Sequence, residues 1–194
     1  MPATVEFDYE RAVDRATQLF WKKGYSNTSL RELLKVMGIG EGSFYNSFGS
    51  KKDLYLECLG HYNDTVSRRR LNALVSPASV KEGVRAFFKC VLDDLDNPKT
   101  PQVCMLANGL SSDVLAEREL ARSIVSDIRW FAGTFVRRLE EAKKAGELPL
   151  EFNAAVAAHV LVTFLQGLFR VIRVLQDRAQ VEQQIEALLR GLGL

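Results

Sequence analysis

Residues 28–48 read TSLRELLKVMGIGEGSFYNSF, and this stretch predicts two short helices joined by a tight turn. Three leucines at helical spacing form one apolar face of the first helix: Leu30, Leu33 and Leu34. Thr28 or Ser29 can cap this helix, because a hydroxyl accepts hydrogen bonds from the unpaired backbone N–H groups of a first turn. Gly38 marks its end, since glycine takes the left-handed conformation of a helix C-terminus without a Cβ clash. A short turn containing glycine between two helices is typical of a helix-turn-helix.

The second helix of this pair has one face for packing and another for contact. Phe44 and Phe48 are four residues apart, so we expect them to anchor the helix to its domain. The residues on or near the outward side are small or hydrogen-bonding: Gly42, Ser43, Tyr45, Asn46 and Ser47. Such residues suit close contact with a DNA groove.

Further helices are predicted on both sides of this stretch. Residues 8–23 carry apolar side chains at helical spacing and end before Gly24. Residues 50–53 (SKKD) resemble a capping box, with an acid three residues after the serine, and open a long helix to about Val75. A helix N-terminus favours phosphate, because its free N–H groups and dipole attract anions, and Lys51 adds positive charge there.

The composition is that of an ordinary globular protein, with 47% hydrophobic and 26% charged residues. The net charge is +2, but residues 11–52 carry eight basic and three acidic side chains, so this segment has a charge of +5 and the rest −3. A positive field on the helix-turn-helix favours DNA binding over a merely solvated basic surface.

Targeting and redox signals are weak in this sequence. No apolar run approaches the ~18 residues of a membrane span, and the longest candidate, Phe164–Leu175, is interrupted by a glutamine and two arginines. The acidic N-terminus is unlike a signal peptide, so we expect a cytoplasmic protein with no membrane partner. Three widely spaced cysteines argue against a disulfide framework and a zinc cluster: Cys58, Cys90 and Cys104.

The remainder of the chain predicts helices only. After a break at residues 76–79 (SPAS), helical periodicity continues to Asn97. A short apolar segment covers residues 102–110, and longer helices are predicted at 115–145, at 154–175 with Asn153 as the cap, and at 181–189.

The run from Arg11 to Leu54 resembles the N-terminal DNA-binding domain of the TetR family of bacterial transcriptional regulators. The matching residues are Ala16, Phe20, Gly24, Tyr25, Thr28, Arg31, Leu33, Gly38, Gly42, Tyr45, Phe48, Ser50, Lys51 and Leu54. This sequence departs from the family pattern at Gly40, where serine or proline often opens the second helix, and at Ser47, where histidine is frequent. The resemblance implies an all-α protein with a helix-turn-helix DNA-binding domain at residues 1–52. Residues 53–194 would then form a helical regulatory, ligand-binding and dimerisation domain.

The resemblance also implies that the partner is a double-stranded DNA operator. The expected DNA-binding residues are Thr28, Ser29, Arg31, Gly42, Ser43, Tyr45, Asn46 and Lys51. Thr28, Tyr45 and Lys51 would contact phosphates, which set register without reading sequence. Ser43 and Asn46 are the candidate base readers, and asparagine can bind adenine through paired hydrogen bonds.

A small-molecule effector is the second expected partner. The candidate ligand-binding residues are Phe88, Cys104, Asn108, Trp130, Phe131, Phe135 and Phe164, a set that favours an apolar or aromatic compound. Cys104 lies in a segment (VCML) that resembles a Gly-Cys-Leu stretch of the family. In some members a cysteine there senses electrophiles or oxidants, whereas a buried, unreactive thiol is the alternative.

The last two helices are expected to form a homodimer interface. Their small and apolar residues allow close approach into a four-helix arrangement: Ala154, Ala158, Leu161, Leu165, Leu168, Ile172, Ile185 and Leu188. A symmetric dimer would place two helix-turn-helices on the two half-sites of a pseudo-palindrome.

The sequence therefore predicts a ligand-responsive transcriptional regulator, a repressor that is released by a small apolar or electrophilic effector. The alternatives are an activator and a helical interaction protein with a degenerate helix-turn-helix. No phosphate loop, nucleophile elbow, metal ligand set or dinucleotide fingerprint is present, so neither enzymatic activity nor a cofactor is expected.

Overall fold

The computed structural model describes residues 7–175 and 177–194. These residues form eleven α-helices and one π-helical turn, without any strand, which confirms the predicted all-α class. In chain order the α-helices are α1 (Tyr9–Lys23), α2 (Leu30–Met37), α3 (Glu41–Phe48), α4 (Lys51–Tyr62), α5 (Arg68–Val75), α6 (Val80–Asp96), α7 (Met105–Asn108), α8 (Ser112–Ala116), α9 (Arg118–Lys144), α10 (Ala154–Leu175) and α11 (Arg178–Leu192).

The chain divides into two compact units. The head unit comprises the residues up to 65 together with 105–125, and the body unit comprises 66–104 and 126–194. This division groups α7, α8 and the start of α9 with the first four helices. The domain boundary expected after residue 52 stays a prediction.

The helix ends of the head unit follow from local sequence chemistry. Ser29, and not Thr28, caps α2: its hydroxyl accepts from the Glu32 N–H, and the Glu32 carboxylate accepts from the Ser29 N–H. Gly38 ends α2 in the left-handed conformation (φ 73°, ψ 31°). The Ser50 hydroxyl accepts from the Asp53 N–H at 3.1 Å and thereby starts α4.

Aromatic and leucine side chains fill the core of the head unit. Phe20, Leu33, Phe44 and Leu54 are fully buried, and the rings of Phe20 and Tyr55 meet edge to face at 5.0 Å. Burying each such side chain stabilises the fold by roughly 1.5–3 kcal/mol. The two predicted anchors of α3, Phe44 and Phe48, are both buried here.

Two predicted long helices are interrupted. The helix expected from residue 50 to 75 contains a π-helical turn at Asn63–Ser67, where the Thr65 hydroxyl donates to the His61 carbonyl at 2.7 Å. Such back-bonding distorts the helical ladder. The helix expected at 115–145 is divided into α8 and α9, because Glu117 has an extended backbone (φ −82°, ψ 105°).

The body unit combines an aromatic core with a buried ion pair. The α6 residues Val84, Phe87 and Phe88 are fully buried. Asp94, on the same helix, accepts hydrogen bonds from Arg69 and from the buried Arg70 of α5 at 2.7–2.8 Å. Helices α5 and α6 approach closely at Gly83, where a Cβ would lie 2.2 Å from the carbonyl oxygen of Leu74.

Helix α10 is more apolar than the sequence analysis indicated. The stretch Ala154–Ile172 has a mean hydropathy of 1.7 and is long enough to cross a membrane, a property that core helices of soluble proteins share. The expectation that no apolar run approaches this length was wrong, because it considered only residues 164–175. The apolar run begins at Ala154, and Arg170 is the single charged residue up to Ile172. Only 39% of this stretch is buried.

Candidate nucleic-acid interface

Helix α3 presents most of its predicted contact residues to solvent. Gly42, Tyr45, Asn46 and Ser47 are exposed, and Ser43 is half-buried. Tyr45 is the largest of these side chains and is 49% exposed. Its ring meets the buried Phe44 ring edge to face at 5.4 Å, so the core of the head unit supports one side of a tyrosine that stays half exposed. The phenol can donate to a phosphate oxygen.

The residues before α2 differ in how accessible they are. Thr28 is fully buried, and its hydroxyl donates to the Gly24 carbonyl at 2.7 Å. This burial argues against the predicted contact between its side chain and a phosphate, since the hydroxyl is already used to close the preceding turn. Ser29 and Arg31 are exposed, although the Ser29 hydroxyl serves the capping box.

The capping box is reinforced by a salt bridge to α1. The Lys23 ammonium lies 2.5 Å from the Glu32 carboxylate. This bond, followed by the hydrogen bonds from Ser29, lowers the pKa of Glu32 to about 2. Glu32 therefore stays ionised and holds the start of α2 on α1 throughout the physiological pH range.

Two lysines stand at the N-terminus of α4, and both are engaged within the head unit. The Lys51 ammonium lies 4.4 Å from the centroid of the Tyr25 ring, a cation–π contact. The Lys52 ammonium lies 2.5 Å from the carboxylate of Glu119 at the start of α9. The sequence does not predict this pair, because 67 residues separate the two side chains and no local pattern connects them.

The candidate ligand residues are only partly brought together. Four of them form an aromatic cluster with Phe87 in the body unit. Phe87 contacts the rings of Phe88, Phe131 and Phe135, Phe88 contacts Phe164, and Phe131 contacts Phe135, with ring centroids 4.9–5.9 Å apart. Trp130 departs from the prediction, since it is 40% exposed and none of the described ring contacts of this cluster includes it. Phe87 is the member that the sequence analysis left out of the site.

Asn108 and Cys104 complete the set of candidate ligand residues. Asn108 belongs to the head unit, where its side-chain amide donates to the Trp21 carbonyl at 3.4 Å. Cys104 is 6% exposed and forms no disulfide. Cys58 lies in the head unit, and burial raises the pKa of its thiol to about 12.

Two cavities of the body unit include predicted ligand residues. One has a volume of about 280 Å³ and is lined by residues of α6 and α11. Its apolar lining includes Phe88, Leu92 and Ile185, and its charged lining includes Arg85, Lys89 and Glu182. The other, about 470 Å³, opens between α10 and α11 and is lined by Val156, His159, Val160, Thr163, Phe164 and Leu188. Phe88 and Phe164 thus each border open space.

Most of the predicted dimer residues are buried inside the subunit, and the interface itself stays a prediction. Six of the eight are buried inside the subunit: Ala154, Ala158, Leu161, Leu165, Leu168 and Ile185. Ile172 and Leu188 are partly exposed. The α10 side chains that reach solvent include Ala155, Val156, His159, Thr163, Arg170, Val171 and Val174. The helix has two apolar faces, and the sequence analysis selected the one that packs against the subunit's own core.

Comparison with known proteins identifies the two parts of the chain. The family model for "Bacterial regulatory proteins, tetR family" matches residues 12–58, and that for "Tetracyclin repressor-like, C-terminal domain" matches residues 81–188. The chain is 29% identical over 189 residues to the uncharacterized HTH-type transcriptional regulator YezE of Bacillus subtilis, covering 96% of this chain and 97% of that protein. It is 24% identical over 163 residues to the HTH-type transcriptional repressor ComR of Escherichia coli, and the match covers 84% of this chain and 78% of that protein.

A solved structure has the same architecture. The TetR-family regulator CifR, as a cysteine mutant bound to 26-base-pair double-stranded operator DNA, superposes with a TM-score of 0.87 at 26% identity over 98% of both chains. The two family models together cover the exposed α3 surface and the helical body unit. The chain is therefore a member of the TetR family of bacterial regulatory proteins: a DNA-binding transcriptional regulator, not an enzyme.

Proposed function

We propose that this regulator is a cytoplasmic repressor that binds a pseudo-palindromic operator as a homodimer and leaves it when a small apolar or electrophilic effector binds the body unit. The observation that carries the proposal is the exposed surface of α3, which presents Tyr45 and Asn46 while Phe44 and Phe48 fix the helix from behind. The similarity to the repressor ComR and to operator-bound CifR supports the same role.

The recognition surface of one subunit is small. Helix α3 has eight residues, so it spans little more than two turns and can reach only a few base edges. Two copies on two half-sites make the affinity of a specific regulator attainable, because the contacts of both subunits add in one complex.

The exposed apolar face of α10 supports pairing of two subunits. Val156, Val171 and Val174 are 55%, 47% and 82% exposed on the side of α10 that also carries the exposed His159, Thr163 and Arg170. Exposed valines are unfavourable in water, and a second copy of the same face would cover them. The cavity beside Val156 and Phe164 lies on this face.

Val156→Glu is expected to dissociate the dimer. In a symmetric interface the substitution introduces two carboxylates into an apolar contact, so the dimer dissociation constant should rise about 100-fold. Sedimentation velocity over a protein concentration series measures this shift. Val75→Glu makes the same change at a 46% exposed valine of α5 and should leave the mass unchanged. A variant Val156→Glu that remains fully dimeric would contradict the proposed face.

The aromatic cluster of the body unit supports an apolar effector. Phe87, Phe88, Phe131 and Phe135 supply ring edges and faces for a hydrophobic compound. An effector releases DNA only if it binds the DNA-free state more tightly than the DNA-bound state, and its effect is limited to that difference in affinity.

Tyr45→Ala is expected to abolish sequence-specific DNA binding while the protein stays folded. Duplexes bound by the purified wild type are selected from a random pool, sequenced, and compared with those bound by the variant. We expect the wild type to enrich an inverted repeat and the variant to enrich none. Because Tyr45 is half exposed, its removal should change the free energy of unfolding by no more than about 0.5 kcal/mol.

A negative result in this selection can have two sources, a co-purified effector or a helix-turn-helix that does not read DNA. A wild type that enriches nothing at low salt is denatured, refolded and tested again, which removes a co-purified effector. Failure after refolding would contradict operator binding and favour an interaction protein. Enrichment of the same repeat by the Tyr45→Ala variant would show that this tyrosine is not needed.

A further inference from the structure

The cavity between α6 and α11 has an apolar floor and a charged rim. Phe88 and Leu92 of α6 and Ile185 of α11 line a space of about 280 Å³ and are only 1%, 3% and 4% exposed. The charged part of the lining is much more exposed, with the side chains of Arg85 and Glu186 at 40% and 46%. The cavity therefore has a buried apolar inner side and a charged side toward solvent.

A second cavity continues this space along α6. It has a volume of about 300 Å³, and Leu92 lines both cavities. Because an α-helix rises 1.5 Å per residue, the α6 part of the lining extends over roughly 16 Å. The rest of the second lining combines apolar with hydrogen-bonding side chains: Leu95, Asp96, Gln102, Ile172 and Arg178. The two cavities together form an elongated groove with one apolar end and one more polar end.

The aromatic cluster supplies one wall of the groove through Phe88. The Phe88 ring lies 5.3 Å from the Phe87 ring and 5.9 Å from the Phe164 ring. Deeper in the cluster, Phe87 and Phe135 are 0% and 1% exposed, and their ring centroids are 4.9 Å apart. Rings in such close contact already fill the space between them. A ligand is therefore better received beside Phe88 than within the cluster.

The charges that line the groove balance one another. Three are positive and three are negative: Arg85, Lys89, Arg178, Asp96, Glu182 and Glu186.

Each of these charges also has a partner of opposite sign. Arg85 donates to Glu186 at 2.9 Å, and Lys89 donates to Asp93 at 2.6 Å. Arg178 donates to Glu182 at 2.7 Å and also to Asp96. A charged ligand would have to displace one of these partners, whereas an uncharged ligand leaves every pair in place. The lining therefore favours a ligand without net charge.

The ion pairs that join α6 to α11 can open to admit a ligand. Arg85 of α6 reaches Glu186 of α11, and Arg178 of α11 reaches Asp93 of α6 at 3.1 Å. Exposed pairs of this kind contribute little stability, so they separate and re-form at low cost. The apolar floor is thus covered by side chains that do not seal it.

We propose that the groove between α6 and α11 is the effector site, and that its ligand is an elongated, uncharged compound with an apolar chain and one hydrogen-bonding end. The chain lies along Phe88, Leu92 and Ile185, and the polar end lies beside Gln102. The inference rests on the proposed function in that the body unit receives an effector. It adds the place of that effector and its chemical class.

The first test is calorimetric titration of the full-length protein with straight-chain alcohols. Hexanol, octanol and decanol differ only in chain length, so the affinity should rise about fourfold per methylene as the chain covers more of the apolar floor. Decanoate and decyltrimethylammonium carry the chain of decanol with a charge of either sign. Both should bind about tenfold more weakly than decanol, because the ionic group stays hydrated and draws part of the chain out of the groove.

A photoreactive octanol locates the bound chain. An octanol that carries a diazirine within its chain is irradiated together with the protein, and the labelled peptides are identified by mass spectrometry. Labels are expected on α6 and α11, and an excess of decanol should remove them.

Two matched variants test whether the chain occupies this groove. Ile185→Trp fills part of the cavity between α6 and α11 and should weaken decanol binding by about tenfold or more. Val160→Trp places the same large ring in the cavity between α10 and α11 and should leave the affinity unchanged. Circular dichroism confirms that each variant is folded. Leu92→Trp takes the place of Ile185→Trp should the latter fail to fold, since Leu92 lines both parts of the groove.

Several results would overturn the inference. These are the absence of saturable alcohol binding, labels confined to α9 or α10, decanoate that binds as tightly as decanol, and a folded groove-filling variant with wild-type affinity. The measurements contain no DNA, so such a failure leaves operator binding to be decided by the duplex selection. Conversely, failure of that selection would leave a ligand site that these measurements support.

Discussion

Phe44→Ala is expected to lower the free energy of unfolding of the head unit by about 3–5 kcal/mol. Phe44 is fully buried, and its ring lies 5.4 Å from Tyr45 and 5.7 Å from Phe48. Alanine removes the ring and leaves a cavity, and with it the contact that fixes α3 from behind. DNA binding should weaken as a consequence, because α3 is no longer held in position.

The measurement is guanidinium unfolding followed by circular dichroism at one protein concentration. The neighbouring Tyr45→Ala is the matched control, because it removes a ring of similar size from an exposed position on the same helix. The two variants should lose DNA binding for different reasons, Phe44→Ala because α3 is no longer held in place and Tyr45→Ala because a contacting side chain is missing. A Phe44→Ala variant that loses less than about 1 kcal/mol would contradict the burial on which the architecture of α3 depends.

Asp94→Asn is expected to destabilise the body unit by about 3 kcal/mol or more. The carboxylate accepts from Arg69 at 2.7 and 2.8 Å and from Arg70 at 2.8 Å, and Arg70 is only 3% exposed. A guanidinium cannot lose its proton in a protein, so the charge of Arg70 remains in the core when its carboxylate is removed. The amide keeps the shape of the side chain but supplies no negative charge.

The control for this substitution is an exposed pair of an arginine and a carboxylate. Glu186 of α11 accepts from Arg85 of α6 at 2.9 Å through both oxygens, with side chains 46% and 40% exposed. Glu186→Gln should therefore cost only about 0.2–1 kcal/mol, because solvent screens the pair. Thermal and denaturant unfolding of both variants compare the two costs, and equal costs would contradict the importance of burial.

The head unit could be predicted in detail because its signals are local. The cap at Ser29, the left-handed glycine at Gly38 and the spacing of Phe44 and Phe48 each involve residues a few positions apart. Such rules require no knowledge of the remaining chain. Thr28 is the exception, since a threonine beside a cap has the same local signal whether its hydroxyl faces solvent or closes the turn at Gly24.

The body unit was predicted in its elements but not in the orientation of its faces. Helix α10 is apolar on more than one side, so periodicity marks a helix without telling which side packs inward. Small residues such as Ala154 and Ala158 were assigned to an interface, although they lie against the subunit's own core. The exposed Val171 and Val174 have the same hydrophobic character in the sequence.

The contacts that join distant segments carried no sequence signal. Lys52 and Glu119 are each ordinary charged residues, and only the packing of residues 105–125 with the first helices brings them together. The same holds for the carboxylate of Asp94 between Arg69 and Arg70. Electrostatic partners of this kind follow from tertiary structure and cannot be read from spacing.

The two-sided character of α10 links the fold of this regulator to its abundance. One side of the helix belongs to the subunit core, and the valine side is available to a second copy. When assembly covers that side, the folded state is favoured by mass action, so apparent stability rises with protein concentration. A cell that contains few copies then holds a larger unassembled fraction, which proteases remove first. Under the proposed pairing of two subunits, turnover of the regulator would therefore depend on its own copy number.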